Sequence, residues 1–584
     1  MTCATVGVMW GLKWDDSGKY FAHLTRCGVN VYANSLSRCG YTGQKLMFVS
    51  DFVKSPDVNC DAAFENARMP ESDFRELVDN LEALGFTVIP WTPDLTRHPS
   101  CDRWRPVLEY FAKREVPDWL ILTDVGDVVF QSDPQKWLED HNPDLVGAGE
   151  SITVGEEANN RAWSIAAFGE DRAESIRDLE VCCHGTIAGK GPLTLQYITA
   201  LHSFLIKHSN QRLVDQGVGN WLMRQPPFGK QLTVTHRDGL IGSYVWDLSD
   251  VSVRKGIIYP SKESKVPVPI CHLYQTLPEV ETIRKRHQYK ILVGLLGWVG
   301  GDKEGSHEAM RNSWLLKSGL DYKFFIGDGT PLSREEEKVV QETYDEWASM
   351  DPTRPQHKEY KIKQKVDPKN YVPKPDDVLG HYPDGYAYLG AKRRESCRYA
   401  LAHGYDYLFC CSIDVYARVE RLLSSGFEKS DYSGKACGWP GDVGDFYIPE
   451  DYCFGGAYWL SRKAMKIIAD APITYWCEDW WVGLALRQGI QDGTIVRAFD
   501  PRYSVEDPGY ARRMWGTSIS YPTIYNDIIS IHLSHNDGRI ARLSGYYDAF
   551  RTAHDPNKCK CGEHRTRRTY YGLRCLKCGK PRPK

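Results

Sequence analysis

Four short phrases recur in the same order in the two halves of the chain, and this recurrence constrains the fold more than any single motif does. The apolar run DWLILTDVGDVVF (Asp118–Phe130) ends in Asp124 and Asp127, and it returns as DYLFCCSIDVYARV (Asp406–Val419), where only Asp414 follows the run. A cysteine with a glycine two residues on opens CHGTIAGKG at Cys183 and CFGGAYWLSR at Cys453. An acid then starts an apolar helical pattern, at Asp215 in VDQGVGNWL and at Glu478 and Asp479 in CEDWWVGLAL. Each half closes on an apolar run that reaches His-Leu, PICHLYQ with His272 and ISIHLSH with His532. One such match arises by chance, whereas four in the same order imply a duplicated architecture.

Around these phrases, strand and helix patterns alternate. In the first half TVGVMWGL, KLMFVSD, FTVIPW and DWLILTD read as strands. The apolar spacing from Tyr20 to Leu36, ESDFRELVDNLEALG and RWRPVLEYFAKR read as helices. In the second half YKILVGLLGW, YKFFIGDG and YDYLFCCSID are the strands, and SHEAMRNSWLLKSG, SREEEKVVQETYDEW and YAYLGAKRRESCRYALAHG the helices. Alternation of this kind predicts an α/β fold with a mostly parallel sheet covered on both faces. Ligands of such sheets sit beyond the carboxyl ends of strands, which is where Asp124 and Asp127 fall. The polar stretch 350–385, rich in Pro, Lys and Asp, is expected to be a surface loop or lid, since nothing in it builds a core. The expected division is 1–285, 286–550 and a basic tail, 551–584.

Length and charge fit this organisation. A chain of 584 residues is too long for one ordinary core. No run of eighteen apolar residues occurs, and MTCATVGVMWGLKW has no charged segment ahead of an unbroken apolar one. Neither a membrane span nor a signal peptide is expected, and a cytoplasmic location is. Cys271, Cys410 and Cys411 lie inside apolar runs, where a reduced cysteine behaves as a small hydrophobe. The net charge of −3 hides an asymmetry: residues 551–584 carry eleven Lys/Arg against two acids.

Two acids and a distant histidine at strand ends make a set of oxygen and nitrogen ligands for a divalent ion. Asp/Asp/His with open positions suits Mn²⁺ or Mg²⁺, whose remaining positions a substrate diphosphate can fill. The structural alternative is that the acids cap a turn and His272 is a core histidine. For CEDWWVGLAL the structural reading places Trp480 and Trp481 in a core, while an acid beside them, Asp479, has to be paired, solvated or functional.

The first half, through about Arg284, resembles GT-A glycosyltransferases with a DxD-type metal site, on the phrase LLTD-x-x-DVVFQ-x-DP as written in the family's manner; this chain reads ILTDVGDVVFQSDP. The resemblance implies Asp127 and His272 as metal ligands, Asp124 as a sugar-nucleotide contact, Gly185 to Gly189 and Gln216 along the donor, and Asp215 in catalysis. The spacing D-x-x-D leaves open which aspartate meets the metal and which the ribose. The second half, His287 to about Ala549, resembles the beta-1,3-glycosyltransferase group that includes galactosyltransferases and Fringe. That likeness rests on Arg311-Asn312-Ser313-Trp314, FFIGDG, Asp414-Val415-Tyr416, CFGGAYWLSRKAM and Glu478-Asp479 ahead of VGLAL. It implies Asp479 as the base that takes the acceptor hydroxyl's proton and Asp414 and His532 as metal ligands. Arg311, Gly455, Gly456 and Glu478 would then line the donor. The family's acidic triplet reads Ser412-Ile413-Asp414 here, so this half is expected to bind metal weakly or to be inactive. A nucleotide-sugar donor and a protein or glycan acceptor are the partners implied.

The tail carries different chemistry. Cys559, Cys561, Cys575 and Cys578 form two close pairs around a short basic stretch, the spacing of a polypeptide folded around structural Zn²⁺, with His564 able to substitute as a ligand and two disulfides as the alternative. Its Lys/Arg excess with Tyr570 and Tyr571 suits either a nucleic-acid phosphate backbone or a protein partner.

Overall fold

The computed structural model describes residues 1–9, 12–13, 28–50, 53–54, 71–94, 99–207, 214–245, 248–299, 305–349, 368–436, 452–503, 505–506, 529–532, 566–569 and 572–575. They form two compact units, Met1–Gln288 and Tyr289–Lys584.

In the first unit β1 (Cys3–Met9), β2 (Gln44–Val49), β3 (Thr87–Pro90) and β4 (Trp119–Thr123) are parallel neighbours, with α1 (Gly28–Arg38), α2 (Glu71–Ala83) and α3 (Trp104–Phe111) on the connections. β5 (Val128–Phe130) leaves this layer, after which β6 (Leu145–Thr153), β7 (Glu180–Lys190) and β8 (Leu232–Thr235) complete a sheet of order β8-β6-β7-β4-β1-β2-β3. α4 (Gly191–Leu205) and α5 (Val214–Leu222) lie between β7 and β8 in sequence, and β9 (Ile241–Ser243) and β10 (Ile270–His272) join β5 in a small sheet, β9-β10-β5.

The second unit repeats this plan. Its strands are β11 (Ile291–Leu296), β12 (Asp321–Gly327), β13 (Asp377–Gly380), β14 (Tyr407–Ser412), β15 (Val415–Ala417), β16 (Tyr432–Ala436), β17 (Cys453–Ser461), β18 (Arg497–Phe499), β19 (Val505–Glu506) and β20 (Ser530–His532). The large sheet runs β18-β16-β17-β14-β11-β12-β13 and the small one β19-β20-β15. Each strand therefore occupies the place of the strand ten earlier in number. The polarities agree as well: β4 and β14 are antiparallel to β7 and β17, and β10 and β20 are antiparallel to β5 and β15. The helices follow suit, α6 (Ser306–Met310), α7 (Arg334–Ser349), α8 (Leu389–Ala402), α9 (Arg462–Asp470) and α10 (Glu478–Gln491) taking the places of α1 to α5. A π turn, Arg311–Leu315, continues α6.

The sequence shows why the central strands read as unbroken apolar runs. Along β4, Trp119 and Ile121 enter one apolar cluster with Tyr32, Leu36 and Met47, while Leu120 and Leu122 enter another with Val6, Phe48 and Trp104. Alternate side chains point to opposite faces, and helices bury both, so no position is left for a polar residue. β14 does the same, with Phe409 and Cys411 on one face and Leu408 and Cys410 on the other. The cysteines are buried free thiols, as their neighbours' apolar character leads one to expect.

Two expectations change in the structure, and one falls partly outside the described residues. The described part of α1 starts at Gly28; its expected beginning, Tyr20, lies outside the described residues. The polar insert expected over 350–385 contains sheet: Asp377–Gly380 pairs in parallel with β12 as an edge strand, and Tyr382 behind it is 1% exposed. An edge strand is paired on one side only and needs no apolar run, which is why its sequence looks like loop. Of the two tryptophans in CEDWWVGLAL, Trp481 is buried in the core, but Trp480 is only half-buried and stacks beside Tyr475 and Tyr452.

Each unit also buries an arginine against an acid from the first turn of the helix that follows α4 or α9. Arg103 meets Asp215 of α5 at 2.8 Å, and Arg393 of α8 meets Glu478 of α10 at 2.6 Å. Removing one member strands the other charge in the interior and costs about 3–5 kcal/mol.

His184, in β7, is a buried neutral imidazole. Its Nδ1 faces the Cys182 carbonyl at 2.9 Å and so donates, leaving Nε2 to accept from the Tyr197 hydroxyl at 2.7 Å. Burial, reinforced by Arg103, lowers its pKa to about 3. The unfolded chain binds the extra proton below about pH 6.5, so the folded state loses stability as pH falls from there toward 3, by about 1.4 kcal/mol per unit. In denaturant titrations at pH 5 to 7, His184→Gln should show a shallower pH slope in the first unit's transition than the native chain, by about that amount per unit. Parallel slopes would contradict the neutral assignment.

Candidate metal centre

The apolar run of β4 ends at Thr123, and the next four residues turn the chain into β5. Asp124 and Asp127 flank that turn. β5 then pairs antiparallel with β10 so that Val128 lies opposite His272, which returns the histidine, 145 positions after Asp127 in sequence, to the same strand end. His272 Nε2 is 3.5 Å from Asp127 Oδ1 and 4.0 Å from Asp124 Oδ2. One ligand atom from each of the three lies within 4.8 Å of the other two.

The surroundings hold this arrangement. Arg103, 4% exposed, grips Asp124 Oδ1 with one terminal nitrogen and uses the other for Asp215 Oδ2 and the His184 carbonyl. Asp124 Oδ2 is thereby the oxygen turned to His272. Gln275 donates to Asp127 Oδ2 at 3.3 Å. Cys183 Sγ lies 3.3 Å from His272 Nδ1. Gly185 of β7 passes so close that a methyl group there would overlap the His272 ring and stand 2.7 Å from Asp124 Oδ2.

The electrostatics separate the two acids. Burial lifts Asp124 to about 6 against the pull of Arg103, with Asp127 adding to the rise. Asp127 is held below the usual carboxylate range: burial works against its ionisation, but His272 and the Gln275 amide outweigh it. For His272 burial disfavours the imidazolium, yet Cys183 and Asp127 beside it raise its pKa well above the ordinary value.

This donor set fits a divalent cation. His272 Nε2 and Asp127 Oδ1 are buried and have no hydrogen-bond partner, although both are strong polar atoms. Two ligands of one six-coordinate ion with bonds of about 2.1 Å stand about 3 Å apart when adjacent and about 4.2 Å apart when opposite. Separations of 3.5 and 4.0 Å fall in that span. Two carboxylates and one imidazole are oxygen and nitrogen donors of the kinds that divalent ions take.

The other expected residues divide. Gly185 and Gln216 stand at the cluster, Gln216 through Cys183. Asp215, 5% exposed, is tethered to Arg103 and so orients Asp124 through the shared guanidinium. Gly189 lies at the far end of β7, opposite Leu120 and packed on Asp144 and Leu145, away from the cluster. Arg103 had no motif to mark it in the sequence; only the fold brings it to both acids.

In the second unit Asp414 precedes β15 as Asp127 precedes β5, and Val415 lies opposite His532 as Val128 lies opposite His272. The His532 side chain lies outside the described residues. Register identifies what replaced the first acid. Leu122 pairs with Ile187, four residues after Cys183, and Cys411 pairs with Ala457, four residues after Cys453. Ser412 therefore stands for Thr123 and Ile413 for Asp124, and Ile413 is buried in an apolar cluster. Glu478 is 3% exposed and bound by Arg393 and Tyr458. Asp479 is half-buried; its Oδ2 takes the Gly455 amide at 3.1 Å and its Oδ1 the Trp480 amide at 2.9 Å. Gly456, the next residue of β17 after Gly455, is buried. Arg311 is committed to Asp376 at 2.7 Å and Asp377 at 3.5 Å, at the start of β13.

Of the tail, strands Thr566–Thr569 and Gly572–Cys575 pair as an antiparallel hairpin. Cys559, Cys561 and Cys578, with the side chain of Cys575, lie outside the described residues. A hollow of about 450 Å³ bordered by Trp137, His141, Asp144 and Lys230 sits at the start of β6 and β8 and includes none of the clustered acids. Among the described residues no helix is long and apolar enough to cross a membrane. Compared with protein-family models and with curated proteins, the chain matches none.

Gly185→Ala is expected to weaken Mn²⁺ binding by at least about tenfold, the scale of disturbed ligand orientation, with the first unit still folded. Mn²⁺ electron paramagnetic resonance titration together with circular dichroism checks this; native affinity in a folded variant would mean that β7 does not shape the centre.

Proposed function

We propose that the protein is a tandem glycosyltransferase, two GT-A modules followed by a basic zinc ribbon, moving sugars from nucleotide-sugar donors to hydroxyls of a protein or glycan. The observation that carries this reading is the Asp124/Asp127/His272 cluster at the carboxyl end of a parallel strand, set in a sheet topology that the chain builds twice. In the first module Asp127, Asp124 and His272 would hold Mn²⁺ or Mg²⁺, and Arg103 keeps Asp124 aimed at the site. A bound divalent ion supplies neutralisation of charge on the departing nucleoside diphosphate. Gly185, without a side chain, leaves the space that the His272 ring occupies in the cluster.

In the second module Asp479 is the base that removes the acceptor's proton. Burial raises its carboxyl, opposed by its hydrogen bonds to Cys477 and to backbone amides, and this moves it toward the range in which proton exchange is efficient. Ile413 in the place of Asp124 favours a second reading for this unit alone, a sugar-binding module with little or no metal. The basic charge of 551–584 supports an alternative acceptor, hydroxylated bases of DNA, recruited by the ribbon.

Mass spectrometry of a nucleotide-sugar panel incubated with the protein, Mn²⁺ and candidate acceptors tests the reading directly. Donor consumption that EDTA stops is expected. Asp127→Asn should abolish the metal-dependent part, and undiminished turnover would remove the metal assignment. Asp479→Asn should leave donor affinity intact and stop transfer by the second module; lost donor binding with normal transfer would reassign that residue.

A further inference from the structure

We propose that Cys183 is the positioning residue for His272, the last link of a directional hydrogen-bond chain that begins at Glu157 and leaves Nε2 as the nitrogen free to meet a cation. The metal in this statement rests on the function proposed above; the direction of the chain does not.

The direction follows from what each group is able to give. Glu157, the N-cap of the helix Ala158–Phe168, is a carboxylate and only accepts. Its Oε2 takes the Asn160 backbone amide at 2.6 Å and the Asn160 side-chain nitrogen at 2.8 Å. Asn160 is 3% exposed, and this contact fixes which end of its amide is which, so Oδ1 faces the other way. There it accepts Gln216 Nε2 at 2.9 Å. Gln216 is fixed in turn, and its Oε1 points to Cys183 Sγ at 4.0 Å. A carbonyl oxygen accepts only, so in this contact Cys183 is the donor, and its one thiol hydrogen is assigned to Gln216. The sulfur lone pairs then face His272 Nδ1 at 3.3 Å, and in this assignment Nδ1 is the donor. With the hydrogen held on Nδ1, Nε2 is the position that loses its proton to a cation, and it is the nitrogen that stands 3.5 Å from Asp127 Oδ1 without a hydrogen bond.

A metal-bound histidine ordinarily gives its other N–H to a carboxylate or a carbonyl. Here a buried thiol takes that place, and the carboxylate that sets the polarity lies three links further out. The chain also explains why β7 carries cysteine two residues before Gly185: the glycine admits the ring, and the sulfur on the same face aligns it.

The test uses the full-length chain. Mn²⁺ affinity by paramagnetic resonance is expected to fall about 10–100-fold in Cys183→Val, which is apolar and cannot accept, and to stay close to native in Cys183→Ser. Glu157→Gln, remote from the ion, should also weaken binding, because an amide there no longer dictates the orientation of Asn160. A second readout needs no metal: long-range ¹H–¹⁵N correlation on ¹⁵N-histidine protein, at a pH where His272 is neutral and assigned with His272→Gln, should show the hydrogen on Nδ1. Valine and serine variants of equal affinity would mean that Cys183 only fills space, and the proposal fails. A neutral ring protonated on Nε2 overturns it as well. If the native chain binds no Mn²⁺ but the ring keeps its hydrogen on Nδ1, the metal reading falls and the chain of hydrogen bonds stands. Should Cys183→Val not fold, Glu157→Gln and the nitrogen spectrum decide.

Discussion

The antiparallel register of β5 with β10 is the constraint on which the candidate centre depends. It places His272 opposite Val128, the residue after Asp127. A slip of one residue would turn every β10 side chain to the other face and send His272 into the apolar layer, where Cys271 now lies with Val129, Tyr244 and Tyr274. The burial of Ile270 and Cys271 on either side of the strand makes such a slip expensive, so the packing of a three-stranded sheet indirectly sets the geometry of a polar site. The second unit keeps the same register while changing what it delivers, since Val415 still faces His532 but Ile413 has replaced the first acid.

Much of this architecture was legible in the amino-acid order because central strands buried on both faces have to be apolar throughout. β1, β4, β11 and β14 were visible for that reason, as was the recurrence of Asp127 and Asp414, Cys183 and Cys453, and His272 and His532 at corresponding places. The edge strand β13 was not, because a strand paired on one side tolerates polar residues and resembles loop. Arg103 was missed for a related reason: it lies just ahead of α3 with nothing in its neighbours to separate it from a surface arginine, and its burial is a property of contacts with residues 21 and 112 positions away. Trp480 and Trp481, adjacent in sequence, have different fates because neighbours on a helix point about 100° apart.

The two units show how one framework supports different chemistry. Both have a buried arginine paired with an acid of α5 or α10, Arg103 with Asp215 and Arg393 with Glu478. In the first unit the guanidinium also reaches Asp124, and so the framework pair is wired into the candidate centre. In the second, the corresponding position is apolar, and Arg393 is left to Glu478 and the Gly294 carbonyl. A turn two residues shorter, with Ile413 in the place of Asp124, thus goes with a framework charge that is an internal strut rather than an orienting group, in a sheet of the same order.

Building the same open sheet twice in one chain also doubles the number of free strand borders, each a row of unpaired backbone groups able to recruit another chain. Among the described residues the borders of the two large sheets are β3, β8, β13 and β18, and none exceeds four residues. β3 in addition ends in Pro90, which has no N–H to offer. So short a ladder gives an incoming strand only a few hydrogen bonds before the match runs out. The brevity of these outer strands is therefore a safeguard against self-association, one that a duplicated molecule needs at twice as many places as its single-unit counterpart.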